Sequence, residues 1–156
     1  MKRFLLVAAM VLMAPGASYG KSNILERSGP WTAFHVDVGN HGNPIYGMMT
    51  TGSDGRIFMV KYQANGGVFV QFAKSSWRFK PGVEVNVWIR FDTSVEFPGV
   101  AVSEVTAAGN HQLLAVTIKS SSEANFLHEF GESKQITIGF PDGDEQLWVA
   151  NMTGSP

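Results

Sequence analysis

The residues of this 156-residue chain whose types and spacing could do chemistry are His35, Asp37 and His41. On a strand, the side chains of His35 and Asp37 would project from the same face, and a histidine on the following loop could complete a metal site. An imidazole beside a carboxylate could also move a proton in acid–base catalysis. The chain contains no HExxH motif and no fourth ligand at a recognisable spacing. The pattern therefore favours solvated side chains on an edge strand and a polar turn, with the metal site as the alternative.

Two carboxylate patterns also fall short of a catalytic or metal site. Asp142-Gly143-Asp144-Glu145 lacks the full Ca²⁺-loop pattern, and Asp-Gly between two apolar runs is typical of a hairpin turn. Asp92 and Glu96 flank a loop without the partner spacing that would indicate a glycosidase pair. The sequence therefore predicts no catalytic residue and no cofactor.

Aromatic residues are the better candidates for function, as binding groups. Trp88 and Arg90 alternate with the apolar side chains of one strand, so both would point away from its apolar face. Trp77 lies shortly before that strand. An exposed tryptophan beside an arginine can anchor a partner protein or stack on a sugar ring. Alternatively, Trp88 packs beneath a helix or a neighbouring loop, as the usual burial of tryptophan favours, and leaves Arg90 in solvent.

The first twenty residues have the pattern of a secretory signal peptide. Lys2 and Arg3 form a positive start, and an apolar run extends from Phe4 to Met13. Ser18-Tyr19-Gly20 supplies the small residues that signal peptidase accepts. Because the apolar run is too short to span a bilayer, we expect cleavage rather than a membrane anchor, and a single domain from Lys21 to Pro156. The predicted location is the periplasm or the medium.

Composition excludes several classes of protein. Without Cys, the chain forms no disulfide and no thiolate metal site. Loss of the two positive charges at Lys2 and Arg3 lowers the formal net charge from −1 to −3, which gives no electrostatic footprint for nucleic acid. The expected partner is therefore a protein or an envelope component, and the sequence leaves the oligomeric state open.

Alternating apolar and polar residues between turn signals predict an antiparallel β-sandwich, or a partly open barrel, of about eight strands. The clearest alternation covers Val83 to Asp92, where every second side chain is apolar. A one-residue slip would place the polar members in the core, so the register of this strand is fixed. The other predicted strands are residues 31–38, 45–51, 56–63, 68–73, 100–105, 112–119, 134–140 and 145–152.

One short helix is predicted in the C-terminal third of the chain. Ser121 or Ser122 would cap it, and Gly131 would end it. Ala124, Leu127 and Phe130 have the spacing of a buried helical face.

Several short segments carry a resemblance to a known family. They are Lys74-Ser75-Ser76-Trp77-Arg78-Phe79-Lys80-Pro81-Gly82 with the strand after it, Asn125-Phe126-Leu127, Lys134-Gln135-Ile136-Thr137-Ile138 and Trp148-Val149-Ala150-Asn151-Met152-Thr153-Gly154-Ser155. In this order they resemble small exported bacterial proteins of the invasion-associated locus B type. The resemblance implies an exported β-sandwich and supplies no catalytic residues. Many members carry cysteines that this chain lacks.

Three functions follow from these patterns, in order of preference. The first is an exported, non-enzymatic protein that binds another protein or an envelope component through Trp77, Trp88 or Arg90. The second is a periplasmic inhibitor or immunity protein against a cell-wall hydrolase, because a rigid β-domain can place a loop in a cleft. The third is a metal-dependent enzyme built on His35, Asp37 and His41.

Overall fold

The structure is a computed structural model that describes residues 22–38, 42–92, 95–105, 112–145 and 147–153. The predicted signal peptide, His41 and the turn expected at Gly109-Asn110 lie outside these residues. The described residues contain no helix long and apolar enough to cross a membrane.

The described residues form ten antiparallel strands and one α-helix, which confirms the all-β prediction. The strands are β1 (Ser22–Ser28), β2 (Trp31–Val36), β3 (Ile45–Thr51), β4 (Ile57–Gln63), β5 (Gly67–Ala73), β6 (Glu84–Phe91), β7 (Glu96–Val105), β8 (Gln112–Thr117), β9 (Gln135–Gly139) and β10 (Trp148–Asn151). A 3-10 turn (Ser120–Ser122) precedes the helix α1 (Glu123–Glu132). All strands belong to one open sheet in the order β1-β2-β3-β4-β5-β8-β7-β6-β9-β10.

The sheet is sandwich-like because its two halves bury their apolar faces against each other. Phe72 on β5 contacts the Trp148 ring on β10 edge-to-face, with ring centroids 6.1 Å apart. At the ends of the sheet, the Trp31 indole on β2 donates to the carbonyl oxygen of Asn151 on β10 at 3.0 Å. The main core therefore lies between the halves, and β10 comes close to the start of β2.

Two strands differ from the sequence-based prediction. Strand β1 was not expected, because it is polar, mostly exposed and at the edge of the sheet, with a bulge between Ile24 and Glu26. Strand β7 begins at Glu96 and includes Pro98 and Gly99, where a break was expected. Pro98 is tolerated because β8 pairs with β7 only from Val102 onward, so the missing N–H of Pro98 breaks no pairing with β8.

The helix and the burial of Phe130 are confirmed, but Ala124 and Leu127, predicted for the same buried face, are exposed. Phe126 and Phe130 are buried, four positions apart, whereas Leu127 is 41 % exposed. Phe126 meets Phe91 and Phe97 edge-to-face at centroid distances of 5.3 and 5.1 Å. These two aromatic rings of the sheet select which helical face is buried. Gly131 lies within the helix rather than ending it.

Candidate functional site: the groove beside Glu145

Glu145, in the connection between β9 and β10, receives four side-chain donors, three from distant parts of the chain and one from the nearby Trp148. Lys74 Nζ lies 2.9 Å from Oε1 and 3.0 Å from Oε2. The Trp77 indole N–H donates to Oε2 at 3.0 Å, and the Trp148 indole N–H donates to Oε1 at 3.2 Å. Arg56 Nη2 lies 3.4 Å from Oε1. This carboxylate therefore ties the β9–β10 connection to the segment after β5 and to the start of β4.

The donors also set the charge state of Glu145. Burial alone would raise its pKa, but the hydrogen bonds from Lys74, Trp77 and Trp148, together with the charge of Lys74, hold the pKa below its ordinary value. The side chain is 17 % exposed, so its ion pair with Lys74 is largely shielded from solvent. Glu145 is thus a structural anion whose charge is already balanced.

Aromatic rings pack around this carboxylate. Trp77 stacks on Trp148 with ring centroids 5.1 Å apart and an interplanar angle of 23°. Phe140 meets both rings at 6.0 and 5.7 Å, and Phe79 lies 5.2 Å from Trp77. The Arg56 guanidinium lies over Trp148, 5.1 Å from the ring centroid. The cluster is therefore a rigid wall, since each ring is held by at least one other ring or by an ion pair.

The segment between β5 and β6 is fixed by hydrogen bonds as well as by these rings. Ser103 Oγ donates to the Lys80 carbonyl at 2.5 Å and accepts from the Val83 amide at 2.8 Å. The Phe79 amide donates to Gln112 Oε1. Gly82 allows the sharp turn, because its φ of 80° lies in the region that favours glycine. The segment is consequently held in place without any ligand.

A groove of about 450 Å³ lies between this segment and the β9–β10 connection; we call it the Glu145 groove. Its described lining residues are Trp77, Phe79, Val83, Glu84, Val85, Leu114, Phe140, Asp142, Gly143, Asp144 and Glu145. The apolar side chains form the floor. Asp142, Asp144 and Glu84 are exposed at the rim, and Glu84 stands on the outer face of β6 because it alternates with Val85. None of these lining residues is cationic. An apolar floor with a few polar groups, at this volume, is typical of a ligand pocket.

A second pocket, of about 330 Å³, adjoins the other side of Trp148. It lies between the β3–β4 hairpin and β10 and includes Arg56 and Asp54. Arg56 Nε is 3.0 Å from Asp54 Oδ2, and the same guanidinium also faces Glu145. Because its cation is already paired with two carboxylates, this pocket is the weaker site for a charged ligand.

The predicted binding residues lie in two separate places. Trp77 is 8 % exposed and forms part of the wall of the Glu145 groove. Trp88 and Arg90 lie on the outer face of β6, because they alternate with the buried Val87 and Ile89. The structure therefore does not bring Trp77 together with the other two residues.

Trp88 is half-buried, and its neighbouring strand accounts for part of that burial. Its ring lies over Gly139 of β9, where an added Cβ would come within 2.1 Å of the indole. The Arg90 guanidinium lies over the Trp88 ring, 4.6 Å from its centroid. Arg90 Nη2 also pairs with Glu96 Oε2 at 2.7 Å. A binding role for Trp88 and Arg90 stays a prediction.

His35 and Asp37, two members of the alternative metal or acid–base site, contact each other, but the third member, His41, is not described. His35 Nε2 lies 3.2 Å from Asp37 Oδ1, and the imidazole stacks on Tyr46 with ring centroids 4.9 Å apart. His41 lies outside the described residues. Among the side chains that are described, no three His, Asp or Glu come together as a metal site. The metal-dependent enzyme therefore stays an untested alternative.

The opposite face of the sheet holds a buried charged residue in an apolar setting. Lys61 is 2 % exposed and shares the face of Met59, Ala73 and Leu113. Burial lowers the pKa of Lys61 to about 8, although the charge of Glu104 acts in the other direction. Burial likewise raises the pKa of Glu104, with Lys61 opposing the shift. The ammonium group is thus held where water solvates it poorly.

Sequence reasoning missed Glu145, Lys74 and Arg56. Their partners come from strands far apart in the chain, so no local spacing signals the cluster. The available signal was a polar hairpin, Asp142 to Glu145, next to Trp148. That signal predicts a turn, and it does not predict that a carboxylate in the turn accepts hydrogen bonds from two indoles.

Comparisons with known proteins identify no family for this chain. No family model, curated protein or solved structure matches it. The similarity to exported proteins of the invasion-associated locus B type therefore stays a prediction.

Proposed function

We propose that this protein is a periplasmic or secreted, non-enzymatic binding protein of the bacterial envelope, and that it holds its partner in the Glu145 groove. The observation that carries the proposal is the preformed apolar floor of the groove, walled by Trp77 and Phe140. Stacked rings and the anchored Glu145 already hold these walls in place. A partner would thus bind without first ordering the site, which favours affinity.

Export is supported by the signal-peptide pattern of residues 1–20. N-terminal sequencing of the protein recovered from the periplasm or the medium tests it. We expect the mature chain to begin at Lys21. A chain that retains Met1 and stays in the cytoplasm would contradict export and, with it, a role in the bacterial envelope.

A variant that fills the groove tests the binding proposal. Val83 is 39 % exposed at the mouth of the groove, so Val83→Trp blocks the mouth without opening the core. Val100→Trp is the matched control, because Val100 is an exposed valine of β7 outside the groove lining. Both variants should fold as the original protein does, as judged by circular dichroism and unfolding midpoint.

Each of the three proteins is then immobilised and exposed to an envelope extract, and the bound fraction is identified by mass spectrometry. We expect a partner that the original protein and Val100→Trp retain and that Val83→Trp loses. Retention of every bound component by Val83→Trp, or recovery of no specific component, would contradict the proposal.

A further inference from the structure

The charge of the Glu145 groove indicates the chemistry of its occupant. Three exposed carboxylates, those of Glu84, Asp142 and Asp144, border an apolar floor. The described lining includes no lysine, arginine or histidine to balance them. Such a rim attracts cations and repels anions before any contact with the floor is made.

The fourth carboxylate of the groove contributes differently. Glu145 is paired with Lys74 and Arg56, so its negative charge is compensated within the protein. Asp142 is also engaged in part, since one of its oxygens accepts from the Asn86 side chain. Glu84 and Asp144 are therefore the rim charges most available to a ligand.

Two basic residues of the neighbouring segment, Arg78 and Lys80, are not among the described lining residues of the groove. Arg78 is turned to the protein backbone, where Nη1 donates to the carbonyl oxygens of Ser75 at 2.7 Å and Trp77 at 2.6 Å. Lys80 is exposed in the same segment but is not among the described lining residues. The polarity of the mouth is thus acidic, and that of the floor is apolar.

We infer that the groove binds a segment of a partner protein in which a lysine or arginine stands beside apolar side chains. The inference rests on the proposed function and names the ligand class for the same site. The apolar residues of the segment contact Phe79, Val85 and Phe140, and the aliphatic stem of the basic residue crosses the floor. Its cationic end group meets Glu84 and Asp144 at the rim.

A peptide is favoured over a small amine because of the size of the site. A volume of about 450 Å³ exceeds what one amine with a short stem fills. Neighbouring apolar side chains on one chain would together fill the floor, whereas a single amine would leave it wet.

Three matched five-residue peptides test the inference. Each is N-acetylated and C-amidated and alternates leucine with lysine, glutamine or glutamate, and hexylamine serves as the small-amine probe. Binding is followed by the tryptophan fluorescence of the protein, since Trp77 lies in the groove wall and the peptides contain no tryptophan. We expect the lysine peptide to bind at least about 10-fold more tightly than the glutamine peptide, with weaker binding still for the glutamate peptide.

Two double variants separate the rim from a general charge effect. Glu84→Gln with Asp144→Asn removes the two available rim charges, and Glu26→Gln with Glu132→Gln removes the same charge from exposed positions elsewhere. The rim variant should lose most of the preference for lysine over glutamine, and the control variant should keep it. Raising the salt concentration should weaken binding of the lysine peptide by the original protein more than by the rim variant.

Several results would overturn the inference. Equal binding of all three peptides, blocked by Val83→Trp, would show a groove that binds without charge selection and would leave the proposed function standing. Hexylamine binding as tightly as the lysine peptide would contradict a peptide occupant. If no peptide binds the original protein more tightly than it binds Val83→Trp, the groove does not take this class of ligand. The proposed function fails separately, when the extract experiment yields no partner that Val83→Trp loses.

Discussion

Trp77 and Trp148 stack on each other and donate their indole N–H groups to the two oxygens of the Glu145 carboxylate. The first tryptophan follows β5 and the second begins β10, so the contact joins the two halves of the sheet. This half-buried, fully engaged carboxylate specifies how the two connections meet. The groove beside it shares Trp77 and Glu145 with this cluster.

Removing the charge of Glu145 should destabilise the protein in a pH-dependent way. In Glu145→Gln, the new amide group faces Lys74 and the indoles, which are donors themselves. We expect a loss of roughly 1–3 kcal/mol in the free energy of unfolding near pH 7. Urea unfolding measures it, with Glu132→Gln, an exposed position on α1, as the control.

The pH dependence follows from the lowered pKa of Glu145. A carboxylate whose folded pKa lies below its ordinary value of 4.5 stabilises the fold above that value. The stabilisation is lost as the pH falls through the folded pKa. The difference between original protein and Glu145→Gln should therefore shrink below pH 4.5; a constant difference would contradict this role.

Lys61 should produce a trend of the same sign at high pH. Its folded pKa of about 8 lies below its ordinary value of 10.5, so between these values the unfolded state holds more protons. Stability from this group therefore rises with pH across this window, by at most about 3 kcal/mol. Subtracting the unfolding free energy of Lys61→Met from that of the original protein isolates the rise. Lys119→Met, at an exposed position, controls for the loss of a lysine. A flat or falling difference would contradict the burial argument.

Two glycines should respond with opposite signs to alanine. Gly139→Ala places a methyl group against the Trp88 ring and should cost about 1–3 kcal/mol. Gly131→Ala meets nothing within 4 Å on α1 and should stabilise the protein by up to about 1 kcal/mol. Urea midpoints test both.

The cause of the Gly139 effect can be isolated with a second substitution. In a Trp88→Ala background, Gly139→Ala should lose most of its cost, because the colliding ring is gone. An unchanged cost in that background would show that the ring over Gly139 is not the source.

The helix offers a paired test of its buried face. Phe126 is fully buried against Phe91 and Phe97, so Phe126→Ala should cost about 3–5 kcal/mol in unfolding free energy. Leu127→Ala, at the next position, should change stability by less than about 0.5 kcal/mol, because Leu127 is exposed. Comparable losses for the two variants would contradict the observed orientation of α1.

The strands were predictable wherever alternation carried the signal. Val83 to Asp92 was predicted as a strand, and β6 covers Glu84–Phe91 with Val87, Ile89 and Phe91 buried. β1 escaped prediction because an edge strand need not alternate when both of its faces are largely exposed. For α1, the capping serines and the spacing of apolar residues indicated the helix, but only the position of Phe91 and Phe97 decides which face is buried.

The site was predictable only in part. Trp77 was singled out as a binding candidate, and it lies in the wall of the Glu145 groove with its indole held by Glu145. A binding role for Trp77 stays a prediction. The groove depends on contacts between the β5–β6 segment, β6, β8 and the β9–β10 connection. No periodicity or short motif encodes such long-range contacts.

Site-specific photo-crosslinking in the living cell tests most directly whether a partner protein occupies the Glu145 groove. The crosslinker p-benzoylphenylalanine is placed at Val83, at the mouth of the groove, and at Val100 as the exposed control. We predict a specific protein adduct from position 83 that is absent from position 100 and reduced by Glu84→Gln with Asp144→Asn. No adduct at position 83, or the same adducts at both positions, would contradict binding in the groove.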